Sequence, residues 1–381
     1  MTAPTAPRLE VDYPKIEDNA RELVRRLGER GISVTGVTKA ALGNPLVADA
    51  MLRGGVIALG DSREANLRRL AQCNSPTWLI RSPMISEVEQ VVSSASLSCN
   101  TELDVLDALS LAAQARGVDH RVMLMIELGD RREGIMPADL FAFIDRMRRM
   151  PAIVMHGVGV NLACASGVAP DKFNMAELSA IAGEIETQLG IRLPIVSGGN
   201  SANLLWAAQP GGAGRVNNLR LGEAILLGCE ALHRQPVMGL HTDAFSLVAE
   251  VIEAKRKPVM AYGTIGQSAL GGLVGQVRND GHAVVPPAST ENRPVVDRHR
   301  NQAIVAIGAQ DVDPDGLTPP AGIAIISASS DHLVVDTGKK TLRVGDELSF
   351  GLNYSALLRA MTSPFVCLVS RRVVHTEALE S

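Results

Sequence analysis

No stretch of the sequence reaches the roughly 18 to 20 apolar residues that a membrane-spanning helix needs. Met1 to Glu10 carries no apolar run behind a basic start, so neither membrane insertion nor export is expected. Positive charge is not in excess. The 37 Lys and Arg stand against 41 Asp and Glu, a formal charge of -4, and no global positive field gathers phosphate backbones, so nucleic acid is not an expected partner. Cysteine is sparse: Cys73, Cys99, Cys164, Cys229 and Cys367 are scattered, odd in number and form no Cys-x-x-Cys pair. That argues against a disulfide framework or a metal site and for reduced thiols in the cytoplasm. There is no tandem repeat at a solenoid period and no low-complexity tract.

What is present is the composition of a soluble globular chain, 46% hydrophobic and 20% charged over 381 residues, enough for one large domain and a smaller one. From about residue 13 to residue 230, short apolar runs alternate with longer stretches of helical periodicity. The strand candidates are Val34 to Lys39, Val56 to Gly60, Thr77 to Ile80, Leu97 to Asn100, Val122 to Glu127, Ile153 to Val160, Leu193 to Val196 and Asn218 to Leu221. Near-continuous apolar strands alternating with helices imply a parallel sheet buried on both faces. Eight such units predict an α/β fold of the (β/α)8, TIM type over residues 13–235. After Pro236 the texture changes to short strands between Gly, Pro, Asp and Asn turns, at Val248 to Ile252, Gln302 to Ile307, Ile323 to Ser327, His332 to Asp336 and Glu347 to Gly351. Residues 236–381 are therefore predicted to form a mostly-β domain, with residues 1–12 packing against it, and Asn279 to Arg300 reads as an exposed loop.

In such a barrel the chemistry gathers at the C-terminal ends of the strands. Lys39 closes the first strand candidate, where apolar surroundings lower a lysine pKa and make the amine a Schiff-base nucleophile. The bland alternative is a lysine that ends a strand and snorkels to solvent. Ser197-Gly198-Gly199-Asn200-Ser201 follows the seventh strand and precedes a helical stretch, which suits either a phosphate or an ordinary N-cap. Asn218-Leu219-Arg220-Leu221-Gly222-Glu223 places a cation and a glycine amide beside that loop, although an isolated arginine is more often a surface or salt-bridge residue. A lysine for an aldehyde and an anion site in the seventh and eighth loops are what pyridoxal 5'-phosphate requires.

This order of residues strongly resembles the fold-type III pyridoxal-phosphate enzymes of the alanine racemase superfamily. Within it the likeness is to the ornithine racemase group, carried by Ser82-Pro83-Met84, Gly159-Val160-Asn161-Leu162, Pro194 to Ser201 and Ser329-Ser330-Asp331-His332. The resemblance implies that Lys39 holds the cofactor and serves as a base on one face. It implies that Ser201, the amides near Gly222 and Glu223, and Tyr354 bind the phosphate, with Asn200 beside them. Arg132 matches an arginine near the 3-hydroxyl, with Arg131 as the neighbouring register, and Asn161 sits where alanine racemases often place a histidine beside the ring. Arg220 matches the arginine facing the pyridine nitrogen, where two positive groups repel and protonation is disfavoured. Decarboxylases of the fold type place a carboxylate there, so Arg220 favours a racemase.

One departure stands out. Alanine racemases carry a tyrosine as the second base, contributed across the dimer interface, and Ala309 occupies that place here. Racemisation by two bases needs a proton acceptor on each face of Cα, and His332, Asp311 and Cys164 are the candidates in that order. Ser330 and Asp331 align with substrate-contacting residues from the partner subunit. The expected protein is a homodimeric racemase with shared active sites that interconverts L and D forms of a small free amino acid, ornithine or another diamino acid. A decarboxylase of the same fold and a non-catalytic carrier of pyridoxal phosphate are the alternatives.

Overall fold

The computed structural model describes residues 5–259 and 299–371. The chain divides into two compact units, Tyr13–Ala244 on the one hand and Met1–Asp12 with Phe245–Ser381 on the other.

The first strand, β1 (Arg8–Val11), belongs to the second unit, and α1 (Tyr13–Gly28) opens the first. There follow β2 (Ser33–Val37), α2 (Pro45–Arg53), β3 (Ala58–Asp61), α3 (Glu64–Leu70), β4 (Thr77–Leu79), α4 (Val88–Ser94) and β5 (Leu97–Asn100). Next come α5 (Leu103–Arg116), β6 (His120–Met125), α6 (Leu140–Met147), β7 (Ile153–Gly159), α7 (Lys172–Leu189), β8 (Ile195–Ser197), α8 (Asn203–Ala207), β9 (Asn218–Leu221) and α9 (Glu223–Leu227). Strands β2 to β9 close into one barrel, all in parallel, with β9 returning to β2 in the register Thr35↔Arg220. Ala58, Trp78, Leu97, Cys99, Met123, Met125 and Ile195 form one buried cluster on these strands, each large apolar member contributing about 1.5 to 3 kcal/mol by leaving water. His120, at the start of β6, is buried against the Ser98 hydroxyl at 2.8 Å, and burial pushes its pKa down to about 4.

Every barrel strand expected from the sequence is present, with ends displaced by a few residues for local reasons. The first ends at Val37 rather than Lys39, because the Thr38 carbonyl accepts the Ala41 amide at 2.8 Å and turns the chain into a short 3-10 segment, Lys39–Ala41. The seventh begins at Ile195: Pro194 has no amide for the ladder, and the Leu193 amide is spent on the Glu186 carboxylate at 2.9 Å.

The second unit is antiparallel apart from one pair. Strands β10 (Phe245–Pro258), β11 (His299–Val305), β12 (Leu317–Thr318), β13 (Ala324–Ala328), β14 (Leu333–Asp336) and β15 (Glu347–Leu352) lie in the order β12-β15-β10-β11-β14-β13. Helix α10 (Tyr354–Thr362) and β16 (Cys367–Ser370) complete it. β1 pairs antiparallel with β10 and parallel with β16, and the Arg8 guanidinium donates to both oxygens of Glu347 at 2.6 and 2.8 Å. The exposed loop expected over Asn279 to Arg300 is corrected at its end, where His299 and Arg300 are strand residues paired with Pro258 and Lys257; residues 279–298 lie outside the described residues.

Candidate active site

Lys39 sits half-buried two residues beyond the end of β2, at the first position of its 3-10 segment. The neighbouring loops carry the glycines and hydroxyl picked out in the sequence. Gly199 has φ +135, and a side chain there would run into the Asn203 carboxamide, whose Oδ1 accepts the Asn200 amide at 3.1 Å and whose Nδ2 donates to the Gly198 carbonyl at 2.9 Å. Ser201 is buried, and its hydroxyl oxygen accepts the Ala224 amide at 3.2 Å, which joins the seventh loop to α9. A Cβ on Gly222 would lie 3.2 Å from Val37, so a glycine lets the first turn of α9 approach the end of β2. Glu223 opens that turn, and burial pushes its carboxyl up to about 7 against the opposing charges of Arg234 and Lys39.

Arg220 is only 4% exposed. Its guanidinium donates to the Ser197 hydroxyl and, at 2.8 Å, to the Val160 carbonyl, while Ser197 in turn donates to Asn218 Oδ1 at 2.8 Å. These partners are neutral, so burial lowers the Arg220 pKa from its ordinary value. It still remains a cation, because a guanidinium holds its proton in any protein environment. The Glu133 carboxylate and the Arg132 guanidinium both act on it through space. Arg132 forms a two-pronged pair with Glu133, and its charge also reaches Arg220. Arg131 instead takes φ +58 and gives its amide to Glu127 at 3.0 Å.

Asn161, Asn200 and Cys164 form one cluster. The Asn161 carboxamide donates to Cys164 Sγ at 2.9 Å, and Asn200 donates to Asn161 Oδ1 at 3.1 Å and to the Leu162 carbonyl at 2.9 Å. The loop is held from below by Asp130, a buried carboxylate accepting the amides of Cys164, Ala165 and Ser166 at 3.0 to 3.2 Å.

The remaining expected residues are in the second unit. Ser330, Asp331 and His332 form the tight turn between β13 and β14, with His332 Nδ1 2.7 Å from Asp331 Oδ1. The imidazole beside it holds the Asp331 carboxyl below its usual range. Ala309 and Gln310 donate their amides to the Ser329 and Ser330 carbonyls at 2.9 Å, so Ala309 and this turn lie side by side. Asp311 is buried, and its carboxylate accepts the Ser363 hydroxyl at 2.7 Å. Tyr354 is half-buried at the start of α10, which Asn353 caps by accepting the Ala356 amide at 2.9 Å.

Sequence reasoning passed over Thr38, Asp61, Asn66, Asp130 and Glu133. Asp61 ends β3 at the mouth, a position the strand-end rule could have selected. The other four are recognisable only through their partners. As a donor set, the barrel mouth offers an amine, a hydroxyl, glycine-rich loops and a buried guanidinium, which fits a phosphorylated pyridine aldehyde. Among the described residues no group of three or more His, Cys, Asp or Glu could hold a metal ion, and no helix is long and apolar enough to cross a membrane.

Residues 11–229 match the model of the alanine racemase N-terminal domain. The chain is 36% identical over 367 residues to the ornithine racemase of Acetoanaerobium sticklandii, covering 94% of this chain and 98% of that one. It is 35% identical over 366 residues to the lysine racemase of Thermotoga maritima, covering 94% and 97%. The crystal structure of the alanine racemase of Streptomyces lavendulae superposes with a TM-score of 0.69 at 19% identity, over 97% of this chain and 98% of that one, a likeness of fold.

Proposed function

The chain belongs to the alanine racemase family, and from that premise we propose that it racemises a free basic amino acid, ornithine or a similar diamino acid such as lysine, with pyridoxal 5'-phosphate as cofactor. When bound, the cofactor supplies the electron sink that lets the Cα proton leave. Lys39 is the amine that holds it and the base for one face of Cα. Ser201, Asn200, the amides near Gly222 and Glu223, and Tyr354 would hold its phosphate, and Arg132 and Asn161 would contact the rest of it. Ser330 and Asp331 would meet the substrate of the other subunit across the homodimer. The acceptor on the opposite face would be His332, Asp311 or Cys164, in that order. The working form in this reading is a homodimer of the reducing cytoplasm.

The observation that carries the choice of reaction is Arg220, a buried guanidinium bonded to a hydroxyl and a carbonyl. A fixed positive charge facing the nitrogen of a bound pyridine ring would disfavour its protonation and moderate the electron sink, which would suit return of a proton to Cα. A decarboxylase would carry a carboxylate in this position. Incubation with L-ornithine, L-lysine, L-arginine and L-alanine in deuterated water tests the reading. Loss of optical rotation with deuterium uptake at Cα is expected, strongest for a diamino acid. Release of carbon dioxide, or no exchange with any of the four, refutes it.

A further inference from the structure

We propose that Asp61 is a positioning residue for Lys39, acting through the Thr38 hydroxyl; the inference rests on the reading of Lys39 given above. The last register pair between β2 and β3 is Val37↔Gly60, which makes Thr38 and Asp61 the next residues at the rim. Both are fully buried. The Thr38 hydroxyl donates to Asp61 Oδ2 at 2.8 Å, while Asp61 Oδ1 accepts the Asn66 carboxamide and the Arg63 amide, each at 3.0 Å. One carboxylate therefore ties the turn carrying Lys39 to the first turn of α3.

The grip extends to both ends of that turn. At its start the Thr38 amide donates to Gly60 at 2.9 Å and its carbonyl accepts Ala41, so all three polar groups of Thr38 are committed. At its end Leu42 and Gly43 take φ 52 and 61, and a Cβ on Gly43 would stand 2.7 Å from the Asn66 carbonyl. Asn66 thus bonds Asp61 with its side chain and abuts Gly43 with its backbone, and Arg69 donates to the Leu42 carbonyl at 2.9 Å. Residues 38 to 43 are clamped between Asp61 and one face of α3.

A carboxylate is an expensive way to hold two strands together. These bonds to Asp61 come from a hydroxyl, a carboxamide and a backbone amide, none of them a cation, and burial keeps its carboxyl above the usual range. Apolar residues would close the same gap without desolvating a charge. What they would not supply is a directed bond that fixes the backbone immediately before Lys39, whose amine sits at the end of a four-carbon stem. Displacement of a reacting group by about 1 Å can cost on the order of a hundredfold in rate.

The test uses the full chain with pyridoxal phosphate and reads covalent attachment at Lys39, trapped by borohydride and located by mass, as a function of pH and cofactor concentration. Steady-state constants for the best amino acid accompany it. Thr38→Val removes the hydroxyl at constant shape. It is expected to raise the cofactor concentration for half-maximal trapping by about tenfold, to move the pH midpoint of trapping, and to lower kcat by at least about tenfold with KM nearly unchanged. Thr38→Ser restores all three. Should the valine variant fail to fold, Thr38→Ala leaves room for a water on the carboxylate and is expected to show the same defect. Trapping in wild type that is unchanged in the valine or alanine variant, or a serine variant as impaired as they are, overturns the clamp alone. Absence of trapping at Lys39 in wild type overturns the reading of Lys39 and the clamp with it.

Discussion

Glu223 gives the sharpest quantitative test of how the barrel mouth is built. Its side chain is only 12% exposed, and burial lifts its carboxyl from 4.5 to about 7. The folded chain therefore binds more protons than the unfolded one between those values, and its contribution to stability is present at low pH and is lost as pH rises toward 7. Taking about pH 5 and about pH 8 as the two conditions, linkage gives a loss of about 2.5 kcal/mol across that range. Glu223→Gln removes the titration, so the variant should gain about 2.5 kcal/mol on wild type in moving from the acid to the alkaline condition. Urea unfolding of the cofactor-free protein, followed by tryptophan fluorescence, is the suitable assay, because the two tryptophans, Trp78 and Trp206, both lie in the barrel unit. A stability difference between variant and wild type that is the same at both pH values would refute the argument, and with it the claim that burial outweighs Lys39 and Arg234 at this position.

His120 should behave in the opposite sense: its pKa is about 4 when folded against 6.5 unfolded, so stability is complete above 6.5 and about 3 kcal/mol is lost as pH falls to 4. His120→Gln should flatten that slope in the same fluorescence assay. Arg220→Lys keeps the charge but cannot serve both Ser197 and Val160 with a planar fork; a lost bond to a charged donor, worth about 1.5 to 3 kcal/mol, should appear as a fall of about tenfold or more in kcat, and unchanged kinetics would count against Arg220. Replacing the true opposite-face base should stop solvent deuterium exchange for one enantiomer while sparing the other. Cys164→Ala, His332→Asn and Asp311→Asn compared with D- and L-ornithine identify it, and three variants with equal exchange from both sides would remove all three.

Most of the barrel was legible because its strands are buried on both faces, which writes each of them as an unbroken apolar run. The strand ends were less so, since hydrogen bonds made after the chain has turned decide them, as the Thr38 carbonyl does for β2. β1 and β16 escaped notice for a related reason. Each is four residues long, and they pair with each other from opposite ends of the sequence, Arg8 opposite Cys367, so neither carries a local pattern that names its neighbour. Arg220 could be placed at the mouth by position alone, yet its surroundings come from Ser197 at the end of β8 and Val160 just past β7.

Asp61 marks the limit of such reading. A carboxylate at a strand end is ordinary in sequence, and its meaning appears only when β2 and β3 stand in register and set it against the hydroxyl beside Lys39. Polar residues that position others are therefore harder to find than those that react. A reacting group must sit in the mouth, and the strand-end rule points there. A supporting group needs only a partner, and that partner is chosen by folding. The buried groups here follow that division: Asp61 serves Thr38, Asp130 serves the Cys164 loop, and Ser197 serves Arg220. Each is a desolvated polar group with at least one bond to a residue of the barrel mouth or its loops, a pattern that stability alone would have replaced with apolar side chains.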